Sequence, residues 1–142
     1  RLHMRGNPES LLPRFFGLYS LQFGKERPVY VVVFQNVFPI GINFKEKYDL
    51  KGVLGSKRYV SEEQQEQGVQ VLKDRNFLSR PALDLGSEKA SRLLAQLQKD
   101  TSFLESHERI DYSILLGIAE ATSIAEDFPR IVHGQGDEIV VL

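Results

Sequence analysis

The 142-residue sequence contains no cysteine and no tryptophan, and it has a single methionine. The lack of cysteine excludes disulfides and thiolate metal sites, and it is compatible with a cytosolic protein. Charge of one sign is not in excess, because 18 basic residues oppose 19 acidic ones. The overall charge therefore attracts neither nucleic acid nor an anionic membrane, and such attraction would need a local patch. The longest apolar runs, such as Val29 to Phe34, are too short to span a bilayer.

The composition is that of an ordinary globular protein, with 42% hydrophobic and 26% charged residues. The length suits one modest domain or a piece of a larger one. The chain begins without an initiator Met, and its last residues, Glu138 to Leu142, form an apolar run that is typical of a strand interior. We therefore expect the sequence to be a segment of a longer protein.

The residue pattern predicts an α+β fold with mostly antiparallel strands. Asn7 is predicted to cap a short helix that begins at Pro8. Residues 15–23 and 29–34 flank a turn and are expected to form a hairpin whose second strand is buried on both faces. A third strand is predicted over residues 42–50.

Farther along the chain, residues 53–68 are polar and glycine-containing, which predicts a mobile surface connection. Residues 69–77 are predicted to be a short strand or an extended loop. A long helix is predicted from Ser87 to about His107, because five apolar residues recur at helical spacing: Leu93, Leu94, Leu97, Phe103 and Leu104. The remaining predicted elements are strands at 110–118 and 138–142, with a turn at 133–137.

Two acidic residues stand where chemistry is expected. Asp49 and Lys51 are two positions apart on an extended segment, so their side chains point to one face. Phosphoryl transfer requires a lysine near the phosphates and carboxylates for the nucleophile or Mg²⁺. A solvated strand face with a weak surface pair would explain an isolated pair of this kind equally simply.

Asp111 lies where the long predicted helix gives way to an apolar strand. In protein kinases a helix also leads into the aspartate that accepts the proton of the attacking hydroxyl. The alternative is an aspartate that merely caps the turn.

Five segments in consistent order resemble signature segments of the phosphatidylinositol phosphate kinases. The sequence from Lys47 to Gly52 matches KYDLKG, and the sequence from Ile110 to Leu116 is similar to MDYSLLL. The other three are Asn7 to Tyr19, which resembles NPxSLLPRFYGLY, Val31 to Pro39, which resembles VVMNNVFP, and Leu72 to Phe77, which resembles LKDxDF.

The resemblance implies a role for individual residues. Asp111 would be the catalytic aspartate and Lys51 the lysine that contacts phosphate. Asn36 and Val37 would lie at the adenine of ATP, and Asp49 would belong to the same cofactor site. No metal-ligating residue is predicted, since the three histidines are too scattered to indicate a metal site.

Local charge agrees with an anionic lipid substrate. From Lys45 to Arg58 the chain has five basic residues and two acidic ones. Such a patch suits an inositol phosphate or the membrane surface that carries it, with Lys57 and Arg58 as candidate substrate-binding residues. A solvated basic face is the simpler alternative.

Taken with the resemblance, these features predict the middle of a two-lobed lipid kinase core related to SAICAR synthase and protein kinases. Residues 1–38 would complete the small lobe and hinge, and residues 39–142 would begin the large lobe. The implied activity is ATP- and Mg²⁺-dependent phosphorylation of a phosphatidylinositol phosphate, with phosphatidylinositol 4-phosphate 5-kinase favoured. The parent would be cytoplasmic and peripheral at membranes, and a homodimer of the parent is left open.

The sequence also departs from the family pattern. Val53 follows Lys51-Gly52 where the family has serine, and neither a phosphate loop nor the second metal-binding aspartate is present. We therefore expect this segment alone to be inactive. The alternative for the parent is a catalytically inactive kinase-like module that binds a phosphoinositide or a protein partner.

Overall fold

A computed structural model describes residues 2–38, 40–120, 131–133 and 138–141 of the chain. Six strands occur within these ranges, and they are Phe15–Leu21 (β1), Val29–Phe34 (β2), Phe44–Leu50 (β3), Ile114–Glu120 (β4), Ile131–His133 (β5) and Glu138–Val141 (β6). β1 and β2 form one sheet, and the other four form a second sheet in the order β3, β4, β6, β5. Every ladder is antiparallel, so the predicted α+β class is confirmed. The turn predicted at 133–137 lies largely outside the described residues.

The described helices are Leu2–Gly6 (α1), Glu62–Glu66 (α2), Asp74–Ser79 (α3) and Ser87–Ser106 (α4), together with a 3₁₀ turn at Ser56–Arg58. α4 confirms the long predicted helix to within one residue. The assignment of Leu94 to the buried apolar face of this helix is wrong, because Leu94 is 66% exposed. In the described part of the chain, no helix has the length and apolar character that crossing a bilayer requires.

The hairpin of β1 and β2 is confirmed, with Tyr19 opposite Val31 across the ladder. β-branched and aromatic residues favour these strands, and Gly24 turns the chain between them with a φ of +59°. The prediction that β2 is buried on both faces is wrong for the described chain, since all six of its residues are exposed. The reason is that a sheet of two strands buries its side chains only when another layer covers it.

The core lies on the second sheet, where Tyr48, Leu116, Ile118 and Val140 form one buried cluster. Phe77 of α3 packs edge-on against Tyr48, with ring centroids 5.1 Å apart. Partly buried apolar residues of α3, α4, the loops and the ends of β3 and β4 complete this layer: Leu11, Leu50, Leu72, Phe77, Leu83, Leu85, Leu93 and Ile114. The sheet is thereby held against the helices on one side.

The helix cap predicted at Asn7 is wrong. Asn7 does not cap a helix that starts at Pro8; α1 ends before it, and its Nδ2 donates to Asp100 of α4 at 3.3 Å. The segment 53–68 was predicted as a mobile surface connection; most of its residues are exposed, as expected, and they include a 3₁₀ turn and α2, whereas its mobility stays a prediction. α2 is stabilised by a capping box in which Ser61 and Gln64 exchange hydrogen bonds with each other's backbone amides.

The segment 69–77 also differs from its prediction. Leu72 forms a single parallel bridge to Tyr48, and helix α3 begins only two residues later. The bridge places the start of α3 beside the end of β3, which is the end of the sheet where the candidate site lies.

Candidate active site

The end of β3 and the entry to β4 meet at one edge of the second sheet. Leu50 is opposite Ile114 in the antiparallel ladder, so the residues after β3 lie beside the residues before β4. Lys51 and Asp111, sixty positions apart in the chain, are thereby brought together, and the Lys51 ammonium forms an ion pair with the Asp111 carboxylate. The two residues that the sequence singled out as catalytic therefore share one site.

The ion pair opens onto a cleft of about 510 Å³, lined by Lys51, Val53, Arg109, Ile110, Asp111 and Tyr112. The Asp111 side chain is 79% exposed, whereas that of Lys51 is 30% exposed. An exposed ion pair contributes only about 0.2–1 kcal/mol. Either group can therefore leave the other for a substrate at little cost. Arg109 and Tyr112 were not identified from the sequence, and 45% of Tyr112 is exposed at this cleft.

The turn after α4 aims Asp111 at the cleft. The Arg109 amide donates to the Leu104 carbonyl and the Glu108 amide to the Glu105 carbonyl, both at 2.9 Å, which is the Schellman pattern that ends a helix. Glu108 occupies the left-handed position of this motif with a φ of +53°. Asp111 itself has a φ of +60°, a conformation that aspartate tolerates better than most residues.

Asp49 lies on β3, two residues before Lys51, and its carboxylate is held by two cations. Its Oδ2 is 3.2 Å from Lys73 Nζ and 3.5 Å from an Arg58 nitrogen. Burial alone would raise its pKa, but hydrogen bonds from Ser113 and Lys73 and the charges of Lys73 and Arg58 hold the pKa of Asp49 below its usual value. Asp49 is therefore an anion at neutral pH, and its predicted place in a cofactor site stays a prediction.

Arg58 and Lys57 are neighbours with opposite surroundings. The Arg58 side chain is only 12% exposed, and its Nε donates to Asp74 at 2.6 Å. Lys57 is exposed and has no carboxylate partner within the ranges that the structure covers. Both were predicted to bind substrate, and both assignments stay predictions; the geometry leaves Lys57 accessible to a ligand and turns Arg58 inward.

The basic patch read from the sequence is largely neutralised in the folded chain. Lys45 forms an ion pair with Glu120 at 2.7 Å, and Lys51 and Arg58 pair as described above. Lys47 lies over the rings of Phe38 and Phe44, with its Nζ 5.7 Å from each centroid. A sequence count of charges could not show this, because each partner comes from a different element.

The predicted adenine segment is anchored to the second sheet by one aromatic side chain. Phe38 packs against Phe44 with centroids 5.2 Å apart, and both rings lie over Gly117, where a Cβ would approach Phe44 to 2.5 Å. The Asn36 side chain accepts a hydrogen bond from the Phe38 amide at 3.1 Å. Asn36 is exposed and Val37 half-buried, and no described contact joins either of them to Lys51 or Asp111.

Metal-ligating side chains do not gather at this site. Among the described residues no group of three His, Asp or Glu side chains is placed to hold an ion.

A lysine and an exposed aspartate at the end of a sheet, beside an open cleft, are the pairing that phosphoryl transfer uses for charge neutralisation and proton acceptance. The sequence model of the phosphatidylinositol-4-phosphate 5-kinase family matches residues 2–135. The chain belongs to this family, which confirms the resemblance of its five segments.

Individual relatives agree. The chain is 40% identical over 119 residues to phosphatidylinositol 4-phosphate 5-kinase type-1 beta of Gallus gallus and 38% identical over 119 residues to the type-1 beta protein of Homo sapiens. It is 36% identical over 119 residues to the type-1 alpha protein of Rattus norvegicus. Each match covers 82% of this chain but only 21–22% of the relative, so the chain spans about a fifth of the length of these curated relatives.

Proposed function

We propose that the chain carries part of the catalytic site of a kinase that phosphorylates the inositol ring of a phosphatidylinositol phosphate. The observation that supports this best is the ion pair between Lys51 and Asp111, which the fold assembles across sixty residues at the mouth of the cleft. Phosphatidylinositol 4-phosphate is the favoured substrate, because the relatives named above carry it in their names.

Asp111 and Lys51 would have different roles in the reaction, because their charges are opposite. Asp111 would accept the proton of the attacking ring hydroxyl, and its exposure allows a substrate to reach it. Lys51 would neutralise the negative charge of a phosphate once Asp111 has turned to the hydroxyl. ATP, which the family implies, would supply the transferred phosphoryl group, and Asn36 and Val37 are our proposed contact for its adenine.

The proposed organisation follows the two sheets. Residues up to 38 would belong to the small lobe and hinge and those from 39 to the large lobe, a boundary that is supported by the break between the β1–β2 sheet and the four-stranded sheet. Mg²⁺, which the family implies, would accompany the phosphates of ATP. We propose a cytoplasmic protein that acts at the surface of anionic membranes, where Lys57 would contact lipid headgroups.

The test is phosphate transfer from labelled ATP to phosphatidylinositol 4-phosphate in vesicles, using the full-length gene product. We expect Asp111→Asn to lower kcat by about 10²–10⁴-fold, the usual contribution of a general base. The control is Asp84→Asn, which changes another exposed aspartate of the same chain and should leave kcat unchanged. Absence of lipid labelling by the wild-type protein would instead favour the inactive, ligand-binding module.

A further inference from the structure

A buried aspartate that sequence analysis assigned no role holds the backbone on which Lys51 is mounted. Asp74, the first residue of α3, is 6% exposed. Its Oδ1 accepts hydrogen bonds from the Lys51 amide at 2.9 Å and from the Gly52 amide at 2.7 Å. Two successive backbone amides thus converge on one carboxylate oxygen immediately after β3 ends.

The other carboxylate oxygen ties down the same loop from its far end. Asp74 Oδ2 accepts a hydrogen bond from Arg58 Nε at 2.6 Å, and the Arg58 guanidinium also donates to the backbone carbonyl of Asp49. Arg58 therefore bridges Asp74 to the end of β3, and the segment 50–58 is closed on itself through two side chains. Both are largely withdrawn from water, which strengthens such charge-assisted hydrogen bonds.

The carboxylate is charged in this setting. Burial pushes the pKa of Asp74 upward, but the hydrogen bonds from Arg58 and from the amides of Gly52 and Lys51 outweigh burial and hold that pKa below its usual value. Gly52 permits the turn, since its φ of +72° lies in the left-handed region that favours glycine.

Lys51 needs this support because its side chain has few other constraints. Its ammonium contacts only the exposed Asp111 carboxylate among the described residues, and an exposed pair of this kind orients a flexible lysine weakly. The direction in which the lysine leaves the sheet is set by its backbone, and the Asp74 carboxylate sets that backbone.

We infer that Asp74 is a positioning residue for the reaction, acting through Lys51 by fixing the amides of Lys51 and Gly52. The inference rests on the proposed function of Lys51. A misplacement of about 1 Å in a catalytic group can cost about 10²-fold in rate. Asp74→Asn should therefore reduce kcat by about 10–100-fold, while a role confined to folding would reduce the amount of active protein and leave kcat per folded molecule intact.

The experiment is a double-mutant cycle in the full-length gene product, with Asp74→Asn made both in the wild-type protein and in Lys51→Met. We expect the 10–100-fold loss in the wild-type background and less than about twofold in the Lys51→Met background, because the group through which Asp74 acts is then gone. Equal losses in both backgrounds would overturn the inference. If Lys51→Met alone left kcat unchanged, the proposed function of Lys51 would fail instead.

Asp100→Asn is the matched control. Asp100 is a buried aspartate, 3% exposed, that also accepts a backbone amide, but it lies on α4 with its partners in the N-terminal segment. We expect it to lower stability without changing kcat per folded molecule. If turnover in the Lys51→Met background falls below detection, the kcat values of Asp74→Asn and Asp100→Asn are compared in the wild-type background at equal folded fraction. Equal kcat in both would then contradict a positioning role for Asp74.

Discussion

The carboxylate of Asp100 binds the N-terminal segment to α4, and its removal gives a stability effect that can be calculated. Its Oδ1 accepts a hydrogen bond from Ser10 Oγ at 2.7 Å, and its Oδ2 accepts one from the Leu11 amide at 2.7 Å. Asn7 Nδ2 and His3 Nε2 lie 3.3 Å and 3.1 Å from Oδ1. All of these groups lie about ninety positions away from Asp100 in the chain.

Asp100→Asn keeps the size of the side chain but leaves one acceptor oxygen in place of two. The amide NH₂ then faces a donor, either the Leu11 N–H at the Oδ2 position or the groups that bond to Oδ1. Loss of a hydrogen bond to a charged group costs about 1.5–3 kcal/mol. Taking about 2 kcal/mol, local opening of the segment should become about 30-fold more frequent.

Hydrogen exchange of the Leu11 amide measures this opening directly. We expect about 30-fold faster exchange in Asp100→Asn and no change in the control Asp84→Asn, since Asp84 is exposed on the loop before α4. Unchanged exchange at Leu11 would show that the carboxylate does not hold the segment.

The same carboxylate predicts a pH dependence. Burial raises its pKa, but hydrogen bonds from His3, Ser10, Gln96 and the Leu11 amide outweigh burial, and the pKa of Asp100 falls below its ordinary value. A lowered folded-state pKa gives stabilisation that is complete above the unfolded pKa of about 3.9 and is lost as the pH falls toward the folded value. Protection at Leu11, corrected for intrinsic exchange, should decline below about pH 4 in the wild type but not in Asp100→Asn.

Three further predictions follow from particular contacts. Gly117→Ala should destabilise β4 by about 1–3 kcal/mol in hydrogen exchange of the β4 amides, because its Cβ would meet the Phe44 ring at 2.5 Å. Gly55→Ala is the control, since a Cβ there has nothing within 4 Å, and it should leave that exchange unchanged. Glu108→Gly should stabilise the end of α4 by about 0.5–1 kcal/mol by relieving a left-handed φ of +53°, whereas Glu105→Gly inside the helix should destabilise it by about 1 kcal/mol. Lys57→Ala should raise the vesicle lipid concentration needed for half-maximal activity at low salt and have little effect at high salt, and Lys99→Ala on α4 should do neither; an equal effect of both variants would remove Lys57 from the lipid-binding surface.

Periodic patterns predicted the elements that depend on local sequence. Spacing of three and four residues identified α4, a run of β-branched and aromatic residues identified the hairpin, and alternation of apolar and polar residues identified β3. The resemblance to the family identified Lys51 and Asp111, which the structure brings together. The burial of β2 was predicted wrongly because a continuous apolar run indicates what a strand can pack against and not whether that layer is present.

Interactions between distant residues left no local pattern to read. The Asp74 carboxylate bonds to backbone amides of Lys51 and Gly52, and a backbone amide has no signature in the sequence. Asn7 was read as a helix cap because asparagine commonly caps helices, whereas its partner is on α4. One signal was present and missed, since Ser61 followed three residues later by Gln64 is the pattern of a capping box.

The central claim is that Asp111 acts in the chemical step and Lys51 stands beside it to receive charge. A rapid-quench single-turnover measurement with the full-length gene product, saturating ATP and phosphatidylinositol 4-phosphate vesicles isolates that step from product release. We predict that Asp111→Asn lowers the single-turnover rate by about 10²-fold or more while the dissociation constant for ATP changes by less than about threefold. A single-turnover rate close to that of the wild type would contradict the assignment of Asp111 as the base.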